Sequence, residues 1–180
     1  MHTNSSDIFD NVYVFDLNIH KDKRGMLFES YRADKKLTKI KFCQDNIVFS
    51  KFGVLRGLHF QKEPFAQSKL LTVISGKIQD VIVDLRKSSK TFGKTFSITL
   101  SEKEAKQLFI PKGFAHGFLT LTESSIVQYK VDNYYNSEHQ SAIAYNDRTL
   151  NINWSLDLKD IILSDKDSKN KSFDNTTYFN

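Results

Sequence analysis

Leu70-Leu71-Thr72-Val73-Ile74-Ser75-Gly76-Lys77-Ile78-Gln79-Asp80-Val81-Ile82-Val83-Asp84-Leu85 holds two apolar, β-branched runs parted by a serine, a glycine and a lysine. Branching at Cβ suits a side chain to a pleated, half-buried surface, so both runs read as strands. Gly76 can take a positive φ in the three-residue connection, which predicts that residues 70–74 and 78–85 pair as a hairpin. Alternation then puts Val81, Val83 and Leu85 on one face.

Working outward, Phe96 to Leu100 reads as a further strand, and Leu108 to Ile110 runs into the turn Pro111-Lys112-Gly113. Residues 118–121 are predicted to pair with 126–131 across Thr122-Glu123-Ser124. From about Phe42 to Trp154 the chain is thus a series of short strands separated by turn residues, the pattern of an all-β sandwich or barrel. Leu37 and Ile40 stand at helical spacing among charges, which predicts one short surface helix between Tyr31 and Lys41. With no internal repeat and no composition break, residues 1–180 read as one domain. After Leu163 the chain turns polar, and a loose tail is expected beyond about Ser168.

The composition narrows the function. A chain of 180 residues can bury a core without staples, and its single cysteine, Cys43, cannot close an internal disulfide. Asp7, Asp10 and Asp16 interrupt any apolar secretory stretch, and no uncharged run nears the roughly 20 residues of a membrane helix. The expected compartment is the cytoplasm, without membrane attachment. The formal charge is +5, but Lys and Arg are scattered rather than gathered on one stretch with interleaved aromatics. That distribution argues against nucleic acid and for an anionic small molecule as partner.

Three segments concentrate polar groups that packing alone does not explain: Gln44-Asp45-Asn46, Leu55-Arg56-Gly57-Leu58-His59-Phe60-Gln61 and Ile110-Pro111-Lys112-Gly113-Phe114-Ala115-His116-Gly117-Phe118. On a regular strand Arg56 and His59 would face opposite sides. A bulge at Gly57 would turn both toward one cavity.

Gly53-Val54-Leu55-Arg56-Gly57-Leu58-His59-Phe60-Gln61 strongly resembles the signature of the dTDP-4-keto-6-deoxyglucose 3,5-epimerases, which serve L-rhamnose synthesis. The resemblance continues through Arg24-Gly25 with Glu29, Gln44-Asp45-Asn46, Gln67-Ser68-Lys69-Leu70, Phe114-Ala115-His116-Gly117-Phe118, Tyr129-Lys130, Tyr135, Asn146-Asp147 and Ile152-Asn153-Trp154. It implies a cupin jelly-roll barrel with short peripheral helices, a homodimer, a nucleotide-diphosphate sugar substrate and no metal or organic cofactor. In such enzymes a ketone at carbon 4 acidifies the hydrogens at carbons 3 and 5, and each centre inverts by proton removal and return.

The resemblance assigns the roles as follows. His59 matches the base, a task suited to the neutral-range pKa of histidine, and Asp167 matches the carboxylate behind it, with Asp165 as its competing neighbour. Tyr135 matches the acid, with Tyr134 and Tyr129 as competitors. Lys69 matches the group that stabilises the enolate oxygen. Arg56 and His116 are expected to wall the sugar and its phosphates, and Arg24, Glu29, Gln44 and Asn46 to contact nucleotide or sugar. Leu27, Val48 and Phe49 depart from the family at the nucleotide end, which leaves the base open. Alternatives are an enzyme inverting carbon 3 or carbon 5 alone on another 4-keto-6-deoxysugar, a sugar-nucleotide-binding cupin without turnover, a related ketoisomerase, and a metal cupin drawing on His59, His116 and His139. The last would ordinarily show two histidines one residue apart, where Leu58-His59-Phe60-Gln61 has one.

Overall fold

The computed structural model describes residues 2–5, 9–33, 37 and 39–180. Its strands, in chain order, are β1 (His2–Ser5), β2 (Tyr13–Asp16), β3 (Ile19–Asp22), β4 (Gly25–Phe28), β5 (Gln44–Lys51), β6 (Leu55–Gln61), β7 (Lys69–Ser75), β8 (Lys77–Asp84), β9 (Thr95–Ser101), β10 (Lys106–Ile110), β11 (Phe114–Thr120), β12 (Ser124–Val131) and β13 (Gln140–Ala142). They form a six-stranded sheet in the order β1-β2-β10-β7-β12-β5, a five-stranded sheet in the order β13-β6-β11-β8-β9, and a separate β3-β4 hairpin. All ladders within these sheets are antiparallel. The fold is an all-β jelly roll of the cupin kind, as expected. The helical content comprises short 3-10 turns such as Leu158–Asp160, Asp167–Lys169 and Phe173–Asn175. Of the helix expected between Tyr31 and Lys41, residues 34–36 and 38 lie outside the described residues.

Both expected hairpins are corrected. β7 pairs with β10 and β12 in one sheet, while β8 pairs with β11 and β9 in the other. β11 and β12 likewise lie in different sheets. Each of these strands is bonded along both edges by other partners, so neither edge is free for its neighbour in sequence. Gly76, at φ +83°, carries the chain from sheet to sheet. Its N–H donates to Glu102 Oε2 at 3.0 Å, and its carbonyl accepts from the Glu102 N–H at 3.1 Å, so a loop satisfies the corner.

Residues from both sheets interdigitate in the central core, among them Leu71, Val73, Ile82, Leu108, Phe114 and Val127. Val81, Val83 and Leu85 do share a face, the outer one of the five-stranded sheet, where Leu150, Trp154 and Phe173 cover them. β8 is therefore buried on both faces from Ile78 onward, which is why Val81-Ile82-Val83 runs apolar without alternation.

The stretch after Ser168, expected to be loose, packs onto this sheet. The Phe179 N–H donates to Leu85 O at 2.9 Å and its carbonyl accepts from Lys87 N–H at 2.8 Å. Phe173 is buried, and the Tyr178 ring lies 5.2 Å from it and 5.0 Å from Phe92. Polar composition masked three aromatics that anchor the segment.

Candidate active site

β6 and β11 run side by side with His59 opposite His116, but two residues further along β11 Phe118 faces Arg56, three residues back on β6. The extra residue is a bulge at Gly57, which has φ +151°. It lets Arg56 and His59 line one cavity, as the spacing suggested. A Cβ on Gly57 would stand 2.5 Å from Gly117 Cα, so the two glycines allow the strands to cross at contact distance.

Gly57 also fixes the carboxylate behind His59. Its N–H reaches Asp167 Oδ2 at 3.5 Å and its carbonyl accepts from Asn170 Nδ2 at 3.1 Å. The chain just before Asp167 is tethered along β6, where Ile162 bonds Gly53 and Leu55. Asp167 is buried and its Oδ1 lies 2.6 Å from His59 Nε2. Asp165 is exposed and makes no such contact. Because a carboxylate only accepts, the proton of neutral His59 sits on Nε2, and Nδ1 is left with a free lone pair. Burial pushes the Asp167 carboxyl upward, but the hydrogen bond and charge of His59, with the Gly57 N–H and Asn170, outweigh it and hold the pKa below the ordinary value.

A second pair lies deeper. His116 Nε2 is 2.8 Å from Asp80 Oδ2, and both residues are buried. Desolvation lowers the His116 pKa against the pull of Asp80, which favours a neutral ring. Asp80 Oδ1 has no hydrogen-bond partner among the described residues. Lys69 begins β7 close by. Desolvation drives its pKa down to about 8, partly offset by the charge of Asp80.

Two cavities of about 350 Å³ and 260 Å³ share His59, Lys69, Tyr129 and Gln140. The first adds Gln44, Asn46 and Tyr135, and the second adds Arg56, His116 and Asp167. Gln44 and Asn46 alternate with exposed residues along β5, and the Gln44 amide donates to Asn46 Oδ1 at 2.8 Å. Arg56 donates to Ser50 Oγ at 3.0 Å and to Phe49 O at 3.2 Å. Tyr135 is 56% exposed and its hydroxyl donates to Gln140 Oε1 at 2.7 Å. Of its competitors, Tyr129 lines both cavities with its hydroxyl pKa raised by burial, whereas Tyr134 lines neither.

Eight of the ten site residues expected from sequence thus converge. Arg24 and Glu29 do not. Arg24 is paired with Asp22 on the β3-β4 hairpin and Glu29 with Arg32, and neither borders these cavities in its own chain. His139 bonds Asn136 and rests on Phe65, away from His59 and His116. Among the described residues no three His, Cys, Asp or Glu side chains converge as a metal cage. Asp80, Gln140 and Lys166 escaped the sequence reading. A charge inside the apolar run 78–85 was the available signal for Asp80. Gln140 and Lys166 sit in polar stretches that offer none.

The family model described as dTDP-4-dehydrorhamnose 3,5-epimerase matches residues 7–175. The chain belongs to that family. An epimerase named dTDP-4-dehydrorhamnose 3,5-epimerase from Shigella flexneri is 40% identical over 173 residues, covering 94% of each chain. The crystal structure of a dTDP-4-dehydrorhamnose 3,5-epimerase from Elizabethkingia anophelis superposes with a TM-score of 0.91 at 41% identity, over 99% of each chain. A dTDP-6-deoxy-D-glucose-3,5-epimerase from Legionella pneumophila, solved in complex with dTDP-4-keto-L-rhamnose, gives 0.92 at 36% identity, over 98% of this chain and 94% of that one. The present epimerase shares its whole fold with these relatives, and its cavity is built within that common frame.

Proposed function

We propose that this epimerase inverts carbons 3 and 5 of dTDP-4-keto-6-deoxyglucose, with His59 as the base. The observation that carries the reading is the buried Asp167 at 2.6 Å from His59 Nε2, which leaves Nδ1 as a lone pair on the cavity wall. His59 draws off the hydrogen beside the ketone, and Asp167 stabilises the imidazolium that results. The electrons move onto the ketone oxygen, where the desolvated Lys69 ammonium meets the charge. Tyr135 returns a proton from the other face, and the centre is inverted. Arg56 suits the forked contacts of phosphate oxygens, and neutral His116, its Nε2 proton given to Asp80, can accept from a sugar hydroxyl through Nδ1. These steps call on no metal or organic cofactor.

Arg24 and Glu29 serve the substrate only if another copy of the chain brings them to the cavity. Among the described residues their hairpin has no sheet neighbour and presents exposed Met26 and Leu27, while β5, an edge strand, exposes Ile47 and Phe49. A homodimer that covers these surfaces fits both facts. No helix among the described residues is long and apolar enough to cross a membrane. Residence in the cytoplasm accords with the single cysteine.

Proton NMR with dTDP-4-keto-6-deoxyglucose in deuterated water tests the proposal. Deuterium entering at both carbons, and its loss in His59→Ala, is the expected result. Entry at one carbon would mark a single-centre epimerase, and tight binding without exchange a sugar-nucleotide-binding protein.

A further inference from the structure

Tyr135 is the one proposed proton-transfer group that packing does not hold, since more than half of it is exposed. Among the described residues, what fixes its phenolic oxygen is a single acceptor, Gln140 Oε1, at 2.7 Å. The same oxygen also accepts from the Lys166 ammonium. Gln140 itself is firmly placed. It starts β13, whose ladder sets Gln140 opposite Gln61 and Ala142 opposite His59, and it borders both cavities that His59 lines. We propose that Gln140, braced by Lys166, is the positioning residue that aims the Tyr135 hydroxyl into the cavity. This rests on the reading of Tyr135 as the acid.

Three features of the chemistry favour the arrangement. A neutral amide oxygen holds the hydroxyl without competing for its proton as a carboxylate would. When the proton leaves for the substrate carbon, the phenolate left behind lies next to the Lys166 ammonium, bonded to the same amide, and that charge favours the transfer. An exposed tyrosine also has two free torsions, so without the bond its hydroxyl would spread over many orientations at the cavity mouth.

Removal of the base and return of the proton read out separately, which gives the test. In deuterated water, proton abstraction by His59 with return on the same face appears as deuterium entry without inversion. Gln140→Leu is expected to keep deuterium entry within about twofold of the wild type while inversion falls about tenfold or more, the scale of a misplaced catalytic group. Lys166→Met, at an exposed position, is expected to move the ratio of exchange to inversion the same way by a smaller factor. Gln140→Glu, which still accepts from both partners but competes for the phenolic proton and offsets the Lys166 charge, is expected to invert faster than Gln140→Leu and more slowly than the wild type. Thermal unfolding of each variant separates these effects from loss of fold. A wild-type ratio of exchange to inversion in folded Gln140→Leu would overturn the inference alone. Failure of the wild-type protein to exchange or invert at all would overturn the reading of the site beneath it as well.

Discussion

Asp167 and Lys69 show how the site sets charge by placement. Asp167 is held ionised because His59, Gly57 and Asn170 together oppose the upward push of burial. Asp167→Asn keeps the size of the side chain but can donate to Nε2, which would fix His59 in the tautomer with its proton on Nδ1 and occupy the basic lone pair. Turnover is then expected to fall about 10²- to 10⁴-fold, the range for losing general-base catalysis, with KM little changed. Steady-state kinetics checks this, and a drop in kcat below tenfold would sink the dyad. Lys69 makes a prediction about pH. Its pKa of about 8 in the folded protein stands below the ordinary lysine value of 10.5. As pH rises through about 8, the folded enzyme loses the ammonium proposed to face the enolate, so kcat/KM is expected to decline there. Stability moves the other way. Between the folded and unfolded values the unfolded chain binds the proton that the folded chain has released, so this group makes the fold more stable with rising pH across that window. Lys69→Met should abolish the alkaline decline in kcat/KM while lowering the rate throughout.

At the scale of elements, two glycines at positive φ do different work. Gly57 carries the bulge that joins β6 to β11 and orients His59, and a Cβ there meets Gly117 Cα at 2.5 Å. Gly76 turns the chain between sheets, and a Cβ there meets Ser124 O at 2.3 Å. Both alanine variants are expected to lose about 2–4 kcal/mol, combining left-handed strain with a backbone clash. Only Gly57→Ala should also damage catalysis, because the strand shift moves His59 against Asp167. Urea unfolding alongside kinetics on the folded fraction separates the two, and equal kcat losses would argue against a special role for the bulge. The bulge was legible in sequence because Arg56 and His59 lie three residues apart around a glycine, whereas alternation puts residues on one face only at even spacing. The partners of β7 and β8 were not. Local pattern identifies a strand, but pairing depends on edges supplied from elsewhere, and here β10, β12, β11 and β9 fill those edges.

For the whole molecule, legibility follows the range of the interactions. Asp167 was found through its motif, although it reaches the cavity across more than a hundred residues of chain. The packing of Phe173, Tyr178 and Phe179 was missed because a few aromatics in a polar stretch leave no periodic trace. Arg24 and Glu29 were named from their motif yet stand outside the cavity in their own chain, and this leads to the last prediction. If a partner copy carries them to the site, each complete site uses His59 of one protomer and Arg24 of the other. His59→Ala and Arg24→Ala homodimers would then each have two defective sites, one lacking the base and the other lacking a phosphate or nucleotide contact. A mixed dimer would hold one site with both defects and one intact site. Equal amounts of the two variants, co-refolded so that protomers pair at random, are expected to recover about a quarter of the wild-type sites. Assayed below the raised KM of Arg24→Ala, the mixture should therefore run faster than the sum of the separate variants. Were Arg24 to act within its own chain, every site would lack either the base or the arginine, and mixing would add nothing to that sum.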